Sequence, residues 1–157
     1  MAKAKSPVPE GYQTITPMIC YADTRKAIEW YVKALGAKQN SLSPGPDGKI
    51  MHAEIQIGNS RVMMHDEMNG SRSAAAMGGS PITLWAFVDN CDAVFERAVT
   101  AGAKPTMPVA DQFWGDRFGS IADPFGHVWS IATHVEDVPP EEMAERAKAA
   151  MEAMSSG

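Results

Sequence analysis

The chain of 157 residues is 45% hydrophobic and 21% charged, with a formal net charge of −5 at neutral pH. That length suits one structural domain or two small fused modules, and the hydrophobic share excludes disorder throughout. The acidic balance argues against nucleic acid or an anionic membrane as a partner, because both reward clustered Lys and Arg, and no apolar run approaches the roughly 20 residues of a membrane span.

The opening Met1-Ala-Lys-Ala-Lys-Ser-Pro7 lacks the apolar centre of a secretory signal. Residues 1–11 are therefore expected to be a flexible tail on a cytoplasmic protein. Thr14–Tyr21 reads as a strand. Asp23 and Thr24 offer an N-cap, and Ala27, Ile28, Tyr31, Val32 and Leu35 recur at helical spacing until Gly36 ends the helix. A strand near Lys38–Ser43 runs to the turn signal Pro44-Gly-Pro-Asp-Gly48. Ile50–Ile57 and Ser60–Asp66 then flank Gly58-Asn59, a two-residue hairpin turn. That turn sets His52 opposite His65, Glu54 opposite Met63 and Gln56 opposite Arg61. Ala53, Ile55, Ile57, Val62 and Met64 make an apolar face suited to packing under a helix. His52, Glu54, Gln56, Arg61, Met63 and His65 make a polar face, turned either to solvent or to a cleft.

Glu67–Ser80, rich in Gly, Ser, Ala and Met without a period, reads as a mobile connector. A strand at Ile82–Val88, a helix at Cys91–Ala101 capped by Asp89 or Asn90, and a short strand near Lys104–Val109 follow. Gln112-Phe-Trp-Gly-Asp-Arg117 is a loop into the strand Phe118–Ile121, Asp123-Pro-Phe-Gly126 is a turn, and His127–His134 is the next strand. Pro139-Pro140-Glu-Glu opens a helix to about Met154, with Pro in its first turn and acids near its positive end. Cys20 and Cys91 read as reduced thiols.

The second half of this series repeats the first at a constant offset of 66 residues. Cys20-Tyr21-Ala22-Asp23, Ala27-Ile28 and Leu35-Gly36-Ala37-Lys38 recur as Ala86-Phe87-Val88-Asp89, Ala93-Val94 and Ala101-Gly102-Ala103-Lys104. A module of this size cannot bury its apolar face alone and pairs with its twin. The expected fold class is α+β: two βαβββ modules in pseudo-two-fold repeat, residues 12–66 and 81–135. Residues 67–80 would join them and an extra C-terminal helix, 136–157, would follow, the whole forming one domain with a cleft between the halves.

The repeat, the Asp opening each helix, the Gly-Ala after it and above all Asp123-Pro124-Phe125-Gly126-His127-Val128-Trp129 resemble the vicinal oxygen chelate superfamily. Glyoxalase I, bleomycin-resistance proteins, fosfomycin-resistance enzymes and extradiol dioxygenases share that fold. The resemblance covers about residues 12 to 135, and Gln112–Arg117 with Ala132–Val138 is similar to the PhnB branch. It implies curved mixed sheet around a cavity, with helices on the convex side. It also implies metal ligands at four places: the first strand of each module, the fourth strand of the first, and a Glu on the final strand. Those windows hold Thr16 and Pro17, Ile82 and Thr83, Met63–His65, where only His65 qualifies, and Ser130. Hydroxyls are poor substitutes for imidazole and carboxylate, so the usual metal site reads as lost and no cofactor is expected. The alternative is a divalent metal at a displaced site made by His52, His65 and Glu54.

The same three residues are the candidate catalytic group. Neighbouring imidazoles lower the pKa of at least one, leaving a neutral base that Glu54 could orient; otherwise they coat a polar face. Trp85 and Phe87 share parity with Thr83 and should face the cavity. Trp114 with Asp116-Arg117 makes either a rim gripping a planar or anionic ligand or an internal Asp–Arg pair that ties the loop down. Arg61 and Ser130 complete the candidate ligand contacts. Trp129 and His127 read as structural, and His134 has cavity parity at the strand end. The expected function is metal-independent binding of a planar or anionic small molecule between the modules of a homodimer, in the manner of bleomycin-resistance proteins. The alternative is a lyase, isomerase or transferase using a displaced metal or the His/Glu group; a pure scaffold is a third class.

Overall fold

In the computed structural model, which describes residues 3–157, both halves of the repeat build the same sheet. The chain divides into two units, Met1–Ser80 and Pro81–Gly157. The first holds β1 (Met18–Tyr21), α1 (Thr24–Leu35), β2 (Lys38–Pro44), β3 (Ile50–Ile57) and β4 (Ser60–Asp66), in sheet order β1-β4-β3-β2. Only β1 against β4 is parallel. α1 carries the chain from β1 at one edge to β2 at the other, and in doing so it crosses one face of the sheet.

Asp23 starts α1 by accepting from the Lys26 N–H, and Gly36 ends it at φ 67°, a left-handed conformation that suits glycine. The helix buries Ala27, Ile28, Tyr31 and Ala34. Beneath it lie Ala53, Ile55, Val62 and Met64, the apolar face that alternation predicts. The hairpin register is also as predicted: Glu54 opposes Met63 and Gln56 opposes Arg61. Gly58 sits at φ 57°, and Asn59 is not among the positive-φ residues, which makes the turn type II′.

Asp66 at the end of β4 accepts from the N–H groups of Thr24, at 2.7 Å, and Ile50, at 2.8 Å, joining the starts of α1 and β3. Burial pushes this carboxyl up, but the two backbone donors and nearby Lys49 outweigh it, so its pKa lies below the ordinary value.

The connector is more structured than its composition suggests. Glu67 accepts from the Ser73 backbone at 2.8 Å and its hydroxyl at 2.7 Å. Ser73 in turn caps a single-turn helix, α2 (Ala74–Met77), that ends at Gly78 with φ 84°. Four residues cannot display a 3.6-residue period, which is why no pattern marked it.

The second unit repeats the topology with β5 (Thr83–Phe87), α3 (Cys91–Thr100), β6 (Lys104–Asp111), β7 (Asp116–Ala122) and β8 (Val128–His134), ordered β5-β8-β7-β6. Asn90, not Asp89, caps α3. Cys91, Ala98, Ile121, Trp129 and Ile131 form its core. Gly119 lets α3 approach closely: a Cβ there would lie 2.9 Å from the Phe95 ring and 2.8 Å from Val109 Cγ2. The Asp-Pro-Phe-Gly motif is a carboxylate hub. Asp123 accepts from the Phe125 and His127 N–H groups, both at 2.9 Å, and from the Trp129 indole at 3.0 Å. The final helix, α4 (Pro140–Ser155), has no buried residue and is tied on by Arg146, which bonds Glu136 at 2.7 Å and the Phe113 carbonyl. No helix among the described residues is long and apolar enough to cross a membrane.

Asp66→Asn should destabilise the protein by about 1–3 kcal/mol at pH 7, because one backbone donor then faces an amide NH2. The folded pKa of Asp66 is depressed, so its contribution is present above the unfolded value and is lost as pH falls through the folded one. Urea melts across pH should therefore show the variant and the native chain converging below about pH 4.

Candidate functional site

A sheet with one helix behind it leaves its other face to be explained. In the first unit that face carries Glu54, which is nearly inaccessible at 3% exposure. Its carboxylate accepts from the Tyr12 hydroxyl, from Asn40 Nδ2 at 3.1 Å and from Arg61 at 2.6 Å. Arg61 Nε also donates to the Gly11 carbonyl at 3.0 Å, and the guanidinium lies 4.6 Å over the Tyr12 ring. Gly11 and Tyr12 are thus docked on the sheet, so the tail expected through residue 11 is anchored at its end. Burial raises the Glu54 pKa, yet the donors from Tyr12, Asn40 and Arg61 outweigh it and hold the carboxyl below its ordinary value. A carboxylate so satisfied is a strut and not a proton carrier, and Arg61 is committed to it.

His52 and His65 lie just past the last bridged pair of the hairpin, and neither is among the hydrogen-bond partners of Glu54. The bridged β3–β4 ladder ends at Ala53 and Met64. His52 pairs with Ser43 on β2, and His65 Nδ1 donates to the Asp66 carbonyl at 2.8 Å. Among the described residues, no group of three or more His, Cys, Asp or Glu is placed to hold a metal ion, so the three are not gathered into a displaced centre.

In the second unit, alternation along β7 sends Asp116, Phe118 and Ser120 to one face and Arg117, Gly119 and Ile121 to the other, under α3. Arg117 is therefore not a rim residue beside Trp114. Its guanidinium grips both oxygens of Asp92 on α3, each at 2.8 Å, and reaches Asp111 at 3.1 Å. These pairs raise its pKa further. The internal Asp–Arg pairing exists, with Asp92 and Asp111 in place of Asp116. β7 begins at Asp116, two residues before the apolar run that marks it in the sequence, and this fixes the parity of Arg117.

The open face collects Thr83, Trp85 and Phe87 from β5, paired with Val128, Ser130 and Ala132 of β8. Ser120, Phe118 and Asp116 of β7 oppose Ser130, Ala132 and His134. Trp85 and Phe87 remain 44% and 63% exposed. Their rings are part of a wall: centroids lie 6.2 Å apart for Trp85–Phe87, 4.7 Å for Trp85–Phe118 and 5.7 Å for Trp114–Phe118. Ser130 is buried, and its hydroxyl is bonded to that of Ser120 at 2.9 Å. Thr83 is exposed at the far end of the face.

At the other end stands a pair that the sequence reading missed. Asp116, 8% exposed, accepts from the Trp114 indole at 2.9 Å and from His134 Nδ1 at 2.8 Å. His134 Nε2 lies 2.8 Å from Asp137. Asp137 and then Asp116 raise the imidazole pKa above its ordinary value. Gly115, at φ 95°, pins this corner: its carbonyl accepts from the Val135 and Glu136 N–H groups, and a Cβ would strike the Glu136 carbonyl. The cavity parity of His134 was the available signal.

The family's metal-ligand positions do not fit a divalent ion. Thr16 and Pro17 precede β1, Thr83 offers a lone hydroxyl, and Ser130 is held by Ser120. A groove of about 410 Å³ beside α3 and β6, lined by Phe95, Glu96 and Pro105 among others, lies on the helix side.

The chain is similar to an uncharacterised protein of Mycobacterium bovis, with 40% identity over 148 residues that cover 91% of this chain and 95% of that one. It also resembles the crystal structure of TioX from Micromonospora sp. ML1, with TM-score 0.63 and 25% identity, covering 81% of this chain and 100% of that one. A PhnB protein from Bacillus cereus shares the fold, with TM-score 0.59 at 18% identity over 77% of this chain and 99% of its own. The family model that matches residues 14–131 agrees with both the repeat and its Asp-Pro-Phe-Gly hub, and the chain belongs to the glyoxalase/bleomycin resistance protein/dioxygenase superfamily.

Proposed function

We propose that this is a small-molecule-binding protein whose second unit holds a planar ligand on its open aromatic face, without a metal. The observation that carries this reading is the exposure of Trp85 and Phe87 beside Phe118 and Trp114. Large aromatic rings left in water on a sheet face are unfavourable unless something covers them, and a stacked ring recovers about 0.5–1.5 kcal/mol per aromatic pair beyond its burial. The family takes in bleomycin-resistance proteins as well as glyoxalases and dioxygenases, so binding without turnover lies within its range. Hydroxyl side chains at the family's ligand positions support independence from metal. The catalytic alternative loses Glu54 to its strut role and passes to His134.

Replacing Trp85 by Ala should weaken binding of flat aromatic probes roughly fivefold to tenfold in fluorescence titration. Adding EDTA should leave affinity unchanged. Binding that survives Trp85→Ala with Phe87→Ala, or that collapses on chelation, would reject the proposal. The homodimer belongs to the same proposal: sedimentation should give twice the chain mass of 16.9 kDa, and a monomer at micromolar concentration would remove it.

A further inference from the structure

We propose that Nε2 of His134 is an anion-recognition point on the aromatic face, that Asp137 occupies it from within the chain, and that the ligand class is a flat aromatic ring bearing a carboxylate or phenolate oxygen. This deepens the binding reading above and rests on it.

The first support is the disposition of hydrogens. A carboxylate only accepts, so an imidazole with one nitrogen on Asp116 and the other on Asp137 carries both protons. Below its raised pKa it is an imidazolium, and its two partners differ in kind. The Asp116 side chain is largely buried and fixed by the Trp114 indole, whereas the Asp137 side chain is fully exposed, at 102%. Exposed ion pairs of the second type are weakly held. A ligand oxygen can take the place of Asp137 without disturbing the pair behind it.

The second support is register. Along the open face, the Asp116–His134 row is followed by Phe118, Ala132 and Phe87, then by Ser120, Ser130 and Trp85. Same-face rows two residues apart are roughly 7 Å apart, a span that a bicyclic aromatic acid covers with its ring on the wall and its carboxylate at the imidazolium. One carboxylate, Asp116, orients both the Trp114 ring and the imidazole, so the stacking surface and the charge are set as a unit.

The neighbouring charges leave this assignment intact. Asp116 comes from β7 and Asp137 from the segment after β8. Glu136, also after β8, is taken by Arg146 of α4, and Arg146 also bonds Glu142. Arg146 and His134 are thus both paired cations at this end, and His134 is the one that stands in a row of the open face. Because its partners raise the imidazole pKa, the charge persists above the ordinary value and fades as pH rises through the folded one.

The test compares 2-naphthoate with its neutral isostere 2-naphthamide by calorimetry at pH 6, on the native chain, His134→Gln and Asp137→Asn. The native chain should prefer the naphthoate roughly tenfold. His134→Gln should erase that preference, and Asp137→Asn should strengthen naphthoate binding about threefold. Raising the pH to 9 should erase the preference in the native chain as well, which serves as the test if His134→Gln does not fold. Equal binding of both probes, sensitive to Trp85→Ala, would overturn the anion point and leave the stacking face standing. Failure of both probes to bind would overturn the two together.

Discussion

The first two strands of each unit stand at opposite edges of its sheet, so the helix between them crosses the sheet and covers one face. Everything distinctive about the molecule follows from what is done with the other face. In the first unit it is closed by Tyr12 and Gly11 over a Glu54–Arg61 pair. In the second it carries an aromatic wall ending in an imidazole. Two copies of one module thus solve the same exposure problem in opposite ways, and chemical recognition concentrates where the face stays open.

Buried or half-buried carboxylates do the joining throughout. Asp66 links α1 to β3, Asp123 organises the turn before β8, Glu54 holds the N-terminal segment, and Asp116 couples Trp114 to His134. A desolvated charge is costly unless its lone pairs are filled, and each of these has at least two donors. Number and kind of donors separate their roles. Asp66 and Asp123 accept mainly from backbone N–H groups and so fix the fold. Asp116 accepts from two side chains that reach the open face, so its position is transmitted to groups a ligand would meet.

The modular repeat was legible because it is a comparison of the chain with itself, and the hairpin because Gly58-Asn59 leaves a single register. From that register the apolar and polar faces of β3 and β4 follow residue by residue. Arg117 was not legible in the same way: the start of β7 looks like loop sequence, and one misplaced boundary changes which side of a sheet a residue occupies. Tyr12 on Glu54 joins residues 42 apart through no local pattern. The Asp116–His134 pair depends on the β7–β8 register, which Asp123 sets through hydrogen bonds that sequence spacing does not reveal.

The segments around Tyr12 and around Met154 are unequal as handles. Gly11 and Tyr12 lie against Arg61 and Glu54, so a label placed on them disturbs a buried charge cluster. At the other end, Met151 and Met154 are exposed and the last turns of α4 bury nothing. A label or surface attachment carried on the exposed face of α4, at Met151 or Met154, leaves the packing of both sheets undisturbed.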